Sequence, residues 1–541
     1  MTPLKAAATA MGAPGTARLS RTGLGRAISV RDGSSALLLL LTVASVIACG
    51  PPPAGMRPGA TPSRGIAGAI LREDRVTIGR GTTVRAVAVA RRFVYAATGD
   101  AVIVYDRDRR SWLPPFIRDG GFDPTQVRAL AVDPDDDSAW LLASQGAWTL
   151  NPVAGFVTRA PAGPLPARLR PGSLDAVYRE FPALQGFAPL LARDAESLQS
   201  YPVVAGARAP DRTEVWLGTA GGGLLQVDPL FNSAESRPYG LAVSGAGALA
   251  RAADGVWVAP ASRTLETRLA VTFVARDLQR FRWLDDASRR GFGGARATSL
   301  AVDGPTMWMG TTHGLLRVPL SGGGLRTFTP LAGLPADAVW TVLSRRDGLW
   351  IGTEGGLAWL PADSAARGGR VLSHPDASGL PVRALLATGD TVWVGTDGGL
   401  LLRPPGEESR LVRPAASPFS ARLRAGIRAL AHADSTVFVA SRGDVLTFDV
   451  RSGRWSDPWA AVPWRAVGDI DVLAADARTV WAGGAFGVIA VDRETGGSRI
   501  ARAGSDLPDA VTGILLDGAY AWIATLGGVV RVRRASDGLL P

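Results

Sequence analysis

Cysteine is nearly absent: one residue, Cys49, in 541. A single cysteine excludes an intrachain disulfide and any cysteine-based zinc cluster. Histidine is almost as scarce, with only His313, His374 and His432, widely separated and without an HExxH pairing. No phosphate-binding glycine loop, GxSxG elbow or sialidase-type Asp box occurs, so the common hydrolase and nucleotide signatures are missing, and no cofactor motif is present. Lysine occurs once, at Lys5; all the rest of the 59 basic residues are arginine. The formal charge of +11 therefore reads as a codon preference, and the lack of a Lys/Arg-rich run or binding motif argues against a nucleic-acid partner. What the chain has in quantity is glycine, 66 residues, and a 46% share of apolar residues, enough for a large core interrupted by many turns.

The position of Cys49 is informative. Residues 36–48, ALLLLLTVASVIA, form an uncharged apolar run, preceded by Lys5, Arg18, Arg21, Arg26 and Arg31. A basic segment, a short apolar segment and a small residue before the break make an export signal, and thirteen residues are too few to span a bilayer. Val46-Ile47-Ala48-Cys49 resembles the bacterial lipobox, which implies that residues 1–48 are a signal peptide and Cys49 an acylated N-terminus. Gly50, rather than aspartate, follows the cysteine, a pattern similar to outer-membrane sorting in didermal bacteria. Several acyl chains on one residue anchor firmly where a single chain does not. The Pro- and Gly-rich residues 49–72 read as a tether carrying a body over 73–541.

That body repeats itself. VWLGTAGGGLL (215–225), MWMGTTHGLLR (307–317), LWIGTEGGLAW (349–359) and VWVGTDGGLLL (392–402) are near-copies. Their marker aromatics run Tyr95, Trp140, Trp216, Trp257, Trp308, Trp350, Trp393, Phe438, Trp481 and Trp522, at intervals of 41 to 45 except for 76 before Trp216 and 51 before Trp308. Such a period, with β-prone runs separated by glycine turns, predicts an all-β chain of about ten four-stranded propeller blades. The tryptophans are expected at the seams between blades, and the following small residue makes room for a neighbour. The last repeat stops after its third strand, whereas DRVTIGR (74–80) is a strand without a blade. Joining the two removes an exposed edge and argues for one ring holding all ten repeats, with two successive propellers as the alternative. Residues 156–200 read as a partly helical insertion, beginning a helix at the Ser173 N-cap with Leu174, Val177 and Phe181 on one face.

GLPADAVWTVLSRRDGLWIGTEGGLAWLP (333–361), GLPVRALLATGDTVWVGTDGGLLLRP (379–404) and DLPDAVTGILLDGAYAWIATLGGVVRV (506–532) resemble the two-component regulator propeller repeat of periplasmic ligand-sensing propellers. The similarity covers most of residues 84–534. It implies the propeller fold and a ligand-sensing role. It does not imply kinase activity, because neither a second long apolar segment nor a kinase follows the repeats.

The acidic run Asp133-Pro-Asp135-Asp-Asp137 imitates the start of a calcium loop, but Ser138 stands where glycine is needed and Ser144 where the bidentate glutamate belongs, which favours a solvated turn. Aligning the repeats on their aromatics places Arg85, Arg128, Gly247, Thr298, Trp340, Arg383, Arg428, Asp471 and Thr512 at one inner-strand position. Four arginines at equal height around an axis would attract carboxylate or phosphate, with Trp340 as a stacking face. The sequence thus points to a membrane-tethered propeller that binds an anionic small molecule or an envelope protein without catalysis. An axial-channel lyase or hydrolase and an envelope assembly scaffold are the alternatives.

Overall fold

In the computed structural model the described residues are 75–541, apart from short segments at 80–82, 100, 117–120, 145, 194–199, 232, 244, 262–269, 286–295, 322–324, 363–368, 405–409 and 416–417. The expected signal peptide (1–48), Cys49 and the expected tether (49–72) lie outside them. The chain is all-β, built from ten antiparallel sheets, one per repeat. Eight have four strands; blade 2 has five and blade 7 three. Every marker aromatic lies in the second strand of its sheet.

The recurring Trp-x-Gly-Thr motif has a mechanical basis at each position. The tryptophan packs forward onto the next blade: Trp350 of blade 6 joins Val382 and Val392 of blade 7, and Trp393 joins Ile427 and Val437 of blade 8. The glycine admits the start of that next blade's inner strand. A Cβ on Gly352 would stand 2.6 Å from Val382 Cγ1, and one on Gly483 would stand 2.6 Å from Val511 Cγ1. The threonine closes the following turn: Thr353 Oγ1 donates to the Gly356 carbonyl (2.8 Å) and accepts from the Gly355 N–H (3.2 Å). Gly356 itself takes φ 140°, where a side chain would be strained. Gly352→Val should therefore destabilise the ring by about 1–3 kcal/mol through overpacking, measured as a lower urea midpoint at unchanged slope.

Because each aromatic points at its successor, the seams define the order of the blades. Blade 4 packs on 5, 5 on 6, 6 on 7, 7 on 8, 8 on 9 and 9 on 10. Blade 10 then packs on blade 4, Trp522 and Val529 meeting Ala246, Val256 and Val258. Thr512 Oγ1 of blade 10 donates to the Ala246 carbonyl of blade 4 across this seam. Asp517, 7% exposed, accepts there from Arg251 (2.9 Å) and Arg276 (2.7 Å) of blade 4. Seven blades thus close a ring. Arg75–Ile78 pairs antiparallel with Val529–Val532, so the strand ahead of the repeats completes blade 10.

The single ten-blade ring is corrected accordingly, and so is the alternative of two propellers in succession. Blades 1–3 form a separate arc inserted between the closing strand and blade 4, in the spatial order 3, 1, 2. Trp216 of blade 3 packs on blade 1, where Gly218 admits Val84, and Tyr95 of blade 1 lies in the core shared with blade 2. Trp140 of blade 2 is only half-buried, because among the described residues no blade follows it.

The segment between blades 2 and 3 explains how an incomplete ring remains folded. Phe156–Arg159 is the outer strand of blade 2, so the excursion from the blades begins after it. Arg170–Pro171 then adds to the inner edge of blade 2. Next comes α1 (Leu174–Glu180), whose N-cap Ser173 accepts from the Ala176 N–H, followed by α2 (Pro182–Leu191). Val177, Leu184, Ala188 and Ala192 cover Val215, Leu217, Leu225 and Val227 of blade 3. Two helices thus stand where a preceding blade would be. The second starts directly after the first, since Pro182 suits the first helical turn.

Candidate functional site

The inner strands share an irregularity that bears on function. Their register shifts between Val339 and Thr341, between Val382 and Ala384, between Ile470 and Val472, and between Val511 and Gly513. The skipped residues are Trp340, Arg383, Asp471 and Thr512, members of the position aligned from sequence. Gly247 and Thr298 are skipped in the same way. A β-bulge frees one residue from the ladder and re-aims its side chain. Six of the seven ring blades therefore present a re-aimed residue at one end of their inner strands, a position we call the mouth, and blade 8 places Arg428 at the same end without a register shift.

Blades 6 to 9 carry charge there. Trp340 Nε1 donates to Glu354 Oε2 (2.5 Å), and the Arg383 guanidinium lies over the Trp340 ring at 4.7 Å. Arg383 also pairs with Asp397 (2.9 Å) and, more distantly, with Glu354 (3.5 Å). Arg428 of blade 8 reaches forward to Asp471 of blade 9 (2.7 Å). The hydrogen bond from Arg383 holds the Asp397 carboxyl below the usual carboxylate range, outweighing partial burial, with Arg428 and Arg442 adding to it. The bond to Asp471 raises the Arg428 guanidinium in turn. Blades 10, 4 and 5 contribute Thr512, Gly247 and Thr298; the two hydroxyls donate to neighbouring blades' carbonyls, those of Ala246 and Val339. One half of the mouth is thus an alternating charged belt and the other is lined by short side chains.

The four-arginine ring is corrected by this geometry. Arg383 and Arg428 share the mouth with Trp340. Arg85 and Arg128 belong to the arc: Arg85 donates to the Thr125 carbonyl (3.1 Å) between blades 1 and 2, and Arg128 is an exposed bulge residue of blade 2. Equal positions within a repeat share an axis only when the repeats share a ring. The alignment also missed Glu354 and Asp397, which follow the clamping threonines in the turn after the second strand; the recurring Thr-Glu and Thr-Asp pairs were the available signal.

The acidic turn of blade 2 is occupied by protein. Asp133 accepts from Arg168 (2.8 Å), and Asp137 accepts from the backbone N–H groups of Arg91 (3.1 Å) and Arg92 (3.3 Å) in blade 1. In blade 1, burial pushes the Asp106 carboxyl up, but Arg92 at 2.7 Å and the N–H groups of Asp108 and Arg109 outweigh it and hold it low. Arg168 likewise lowers Asp133. Groups depressed in the folded state stabilise it above their unfolded value, near 3.8, and that stability is lost as pH falls through the lower folded values. Urea midpoints should hence be level from pH 7 to about 5 and fall steeply below about 4.

No family model matches the chain, and no curated protein matches it. Solved structures with matching folds include a bacterial surface component of the type-IX secretion system of Porphyromonas gingivalis, PorZ (12% identity, TM-score 0.42, 84% of this chain and 69% of that one). The extracellular domain named for a hybrid two-component system of B. thetaiotaomicron matches at 14% identity and TM-score 0.37, over 84% of this chain and 66% of that one. Virginiamycin B lyase from Staphylococcus aureus matches at 11% and 0.41, over 54% and 96%.

Proposed function

We propose that this chain is an exported, non-enzymatic binding propeller, anchored through acylated Cys49 in the cell envelope and engaging its partner at the mouth of the seven-bladed ring. The observation that carries this reading is the belt Glu354, Arg383, Asp397, Arg428 and Asp471 beside Trp340. Trp340, Arg383 and Asp471 are re-aimed bulge residues, and Glu354 and Asp397 come from the adjoining turns. Both arginines are already engaged by carboxylates, so a simple anion would have to displace them. A ligand or envelope-protein segment carrying a carboxylate and a cation together exchanges both kinds of pair without leaving a charge unmatched. The lipobox-like Val46–Cys49 supports the anchor, and the Pro- and Gly-rich residues after it would act as a tether to the membrane surface.

The test is capture from solubilised envelopes with the wild-type chain and with Arg383→Ala/Arg428→Ala as bait. Half-exposed pairs of this kind contribute roughly 1 kcal/mol or less each, so the variant should fold. The expected result is a specific set of captured molecules that falls at least tenfold with the variant while its melting temperature holds. Equal capture by both baits would remove the mouth as the binding site. Separately, labelled fatty acid should be incorporated by the wild-type chain and not by Cys49→Ser.

A further inference from the structure

We infer that the end of the ring opposite the mouth holds a phosphate-type oxyanion, in the hollow where blades 9, 10 and 4 meet. This cavity, of about 940 Å³, is lined by Arg251, Arg478, Arg533 and Arg534, with Asp476 as a carboxylate in its wall. Unlike the mouth, the hollow carries cations in excess. Arg534 is committed to the fold: it pairs with Asp476 at 2.6 Å and donates to the Gly538 carbonyl at 2.8 Å. Arg251 shares the one Asp517 carboxylate with Arg276. Arg478 donates its guanidinium to a neutral group, the Ser536 carbonyl, at 2.9 Å, with the Asp492 carboxylate near enough to feel its charge. The Arg533 side chain is exposed and has no hydrogen bond or ion pair among the described residues.

Counting Arg276 and Asp517, and Asp492 beside Arg478, five guanidiniums therefore face three carboxylates, an excess of two positive charges (5 − 3). Guanidinium forks match the oxygens of phosphate bidentately, and a cavity of this size accepts a compact group rather than a polymer. Arg478 and Arg533 are the two donors that a ligand can recruit without opening the ring. The ligand class is a phosphate monoester or pyrophosphate, either free or as the head group of an anionic lipid.

The experiment uses the full chain carrying Cys49→Ser, so that no acyl anchor contributes. Calorimetric titration with inorganic pyrophosphate measures the free ligand, and co-sedimentation with phosphatidic acid-containing against pure phosphatidylcholine vesicles measures the head group. Saturable binding in either arm, weakened at least tenfold by Arg478→Gln/Arg533→Gln with an unchanged melting temperature, is the expected result, and the arm that responds identifies the source. Absence of binding in both arms, or binding that the double variant leaves intact, would overturn the assignment.

Discussion

Gly172→Ala is expected to unfold the three-blade arc while sparing the ring. Gly172 follows Arg170–Pro171, which crosses to the inner edge of blade 2, and its N–H donates to the Leu130 carbonyl (3.0 Å). A Cβ at this position would stand 1.6 Å from the Val87 carbonyl oxygen and 2.8 Å from its carbon. Those are backbone atoms of blade 1's inner strand, so no rotamer change relieves the contact. The cost should reach or exceed the upper end of overpacking penalties, about 3 kcal/mol. It falls on the crossing that links blade 2 to blade 1 and leads into the helices covering blade 3. Hydrogen exchange should show lost protection over residues 86–159 and 203–237 and retained protection over 297–533. Uniform loss across the chain, or none, would mean that the arc is not a separate cooperative unit.

The second large effect lies only six residues before the arc's Val84. Ile78 is fully buried among Leu241, Val256, Val274, Trp522 and Val529, at the seam where blade 10 meets blade 4. Ile78→Asp places a carboxylate there with no cation beside it in that cluster, a change expected to cost about 4 kcal/mol or more. Loss of protection should centre on blades 10 and 4, over 246–260 and 511–533. Blades 1 and 2 follow Ile78 directly in sequence, yet they should keep theirs. The two variants together separate ring from arc, since each strikes one body from a neighbouring stretch of chain.

Much of the blade was legible before any coordinates. The Trp-x-Gly-Thr register carries the seam, the close approach and the turn clamp within one short stretch, so strand positions and the buried aromatics follow from it. The unpaired DRVTIGR segment likewise signalled closure on the last blade. The number of blades in the ring was not legible, and the reason is physical. Each repeat encodes contact only with its successor; Trp140 and Trp522 look alike in sequence, yet among the described residues one meets no following blade and the other meets blade 4. The trace of the break was the 76-residue interval before Trp216, whose crossing strand and helices take the place of a missing neighbour. The mouth shows the same limit. Repeat alignment found Trp340, Arg383 and both partners of the Arg428–Asp471 pair, but Glu354 and Asp397, which engage Trp340 and Arg383, come from other turns and are brought together with them only by the ring.

A disulfide across the closing seam tests this account most directly. A Cβ on Gly513 would lie 3.7 Å from Leu249 Cγ, about where a cysteine sulfur would stand, and Leu249 packs into this seam, so a disulfide can form between the two positions. In the full chain carrying Cys49→Ser, with Leu249→Cys and Gly513→Cys, mild oxidation should give an intramolecular link between blades 4 and 10, identified by mass spectrometry of the joined peptides. Efficient linkage of these residues requires the seven-bladed closure. Two cysteines that stay reduced in the folded protein would contradict it, leaving blade 10 to meet some other neighbour.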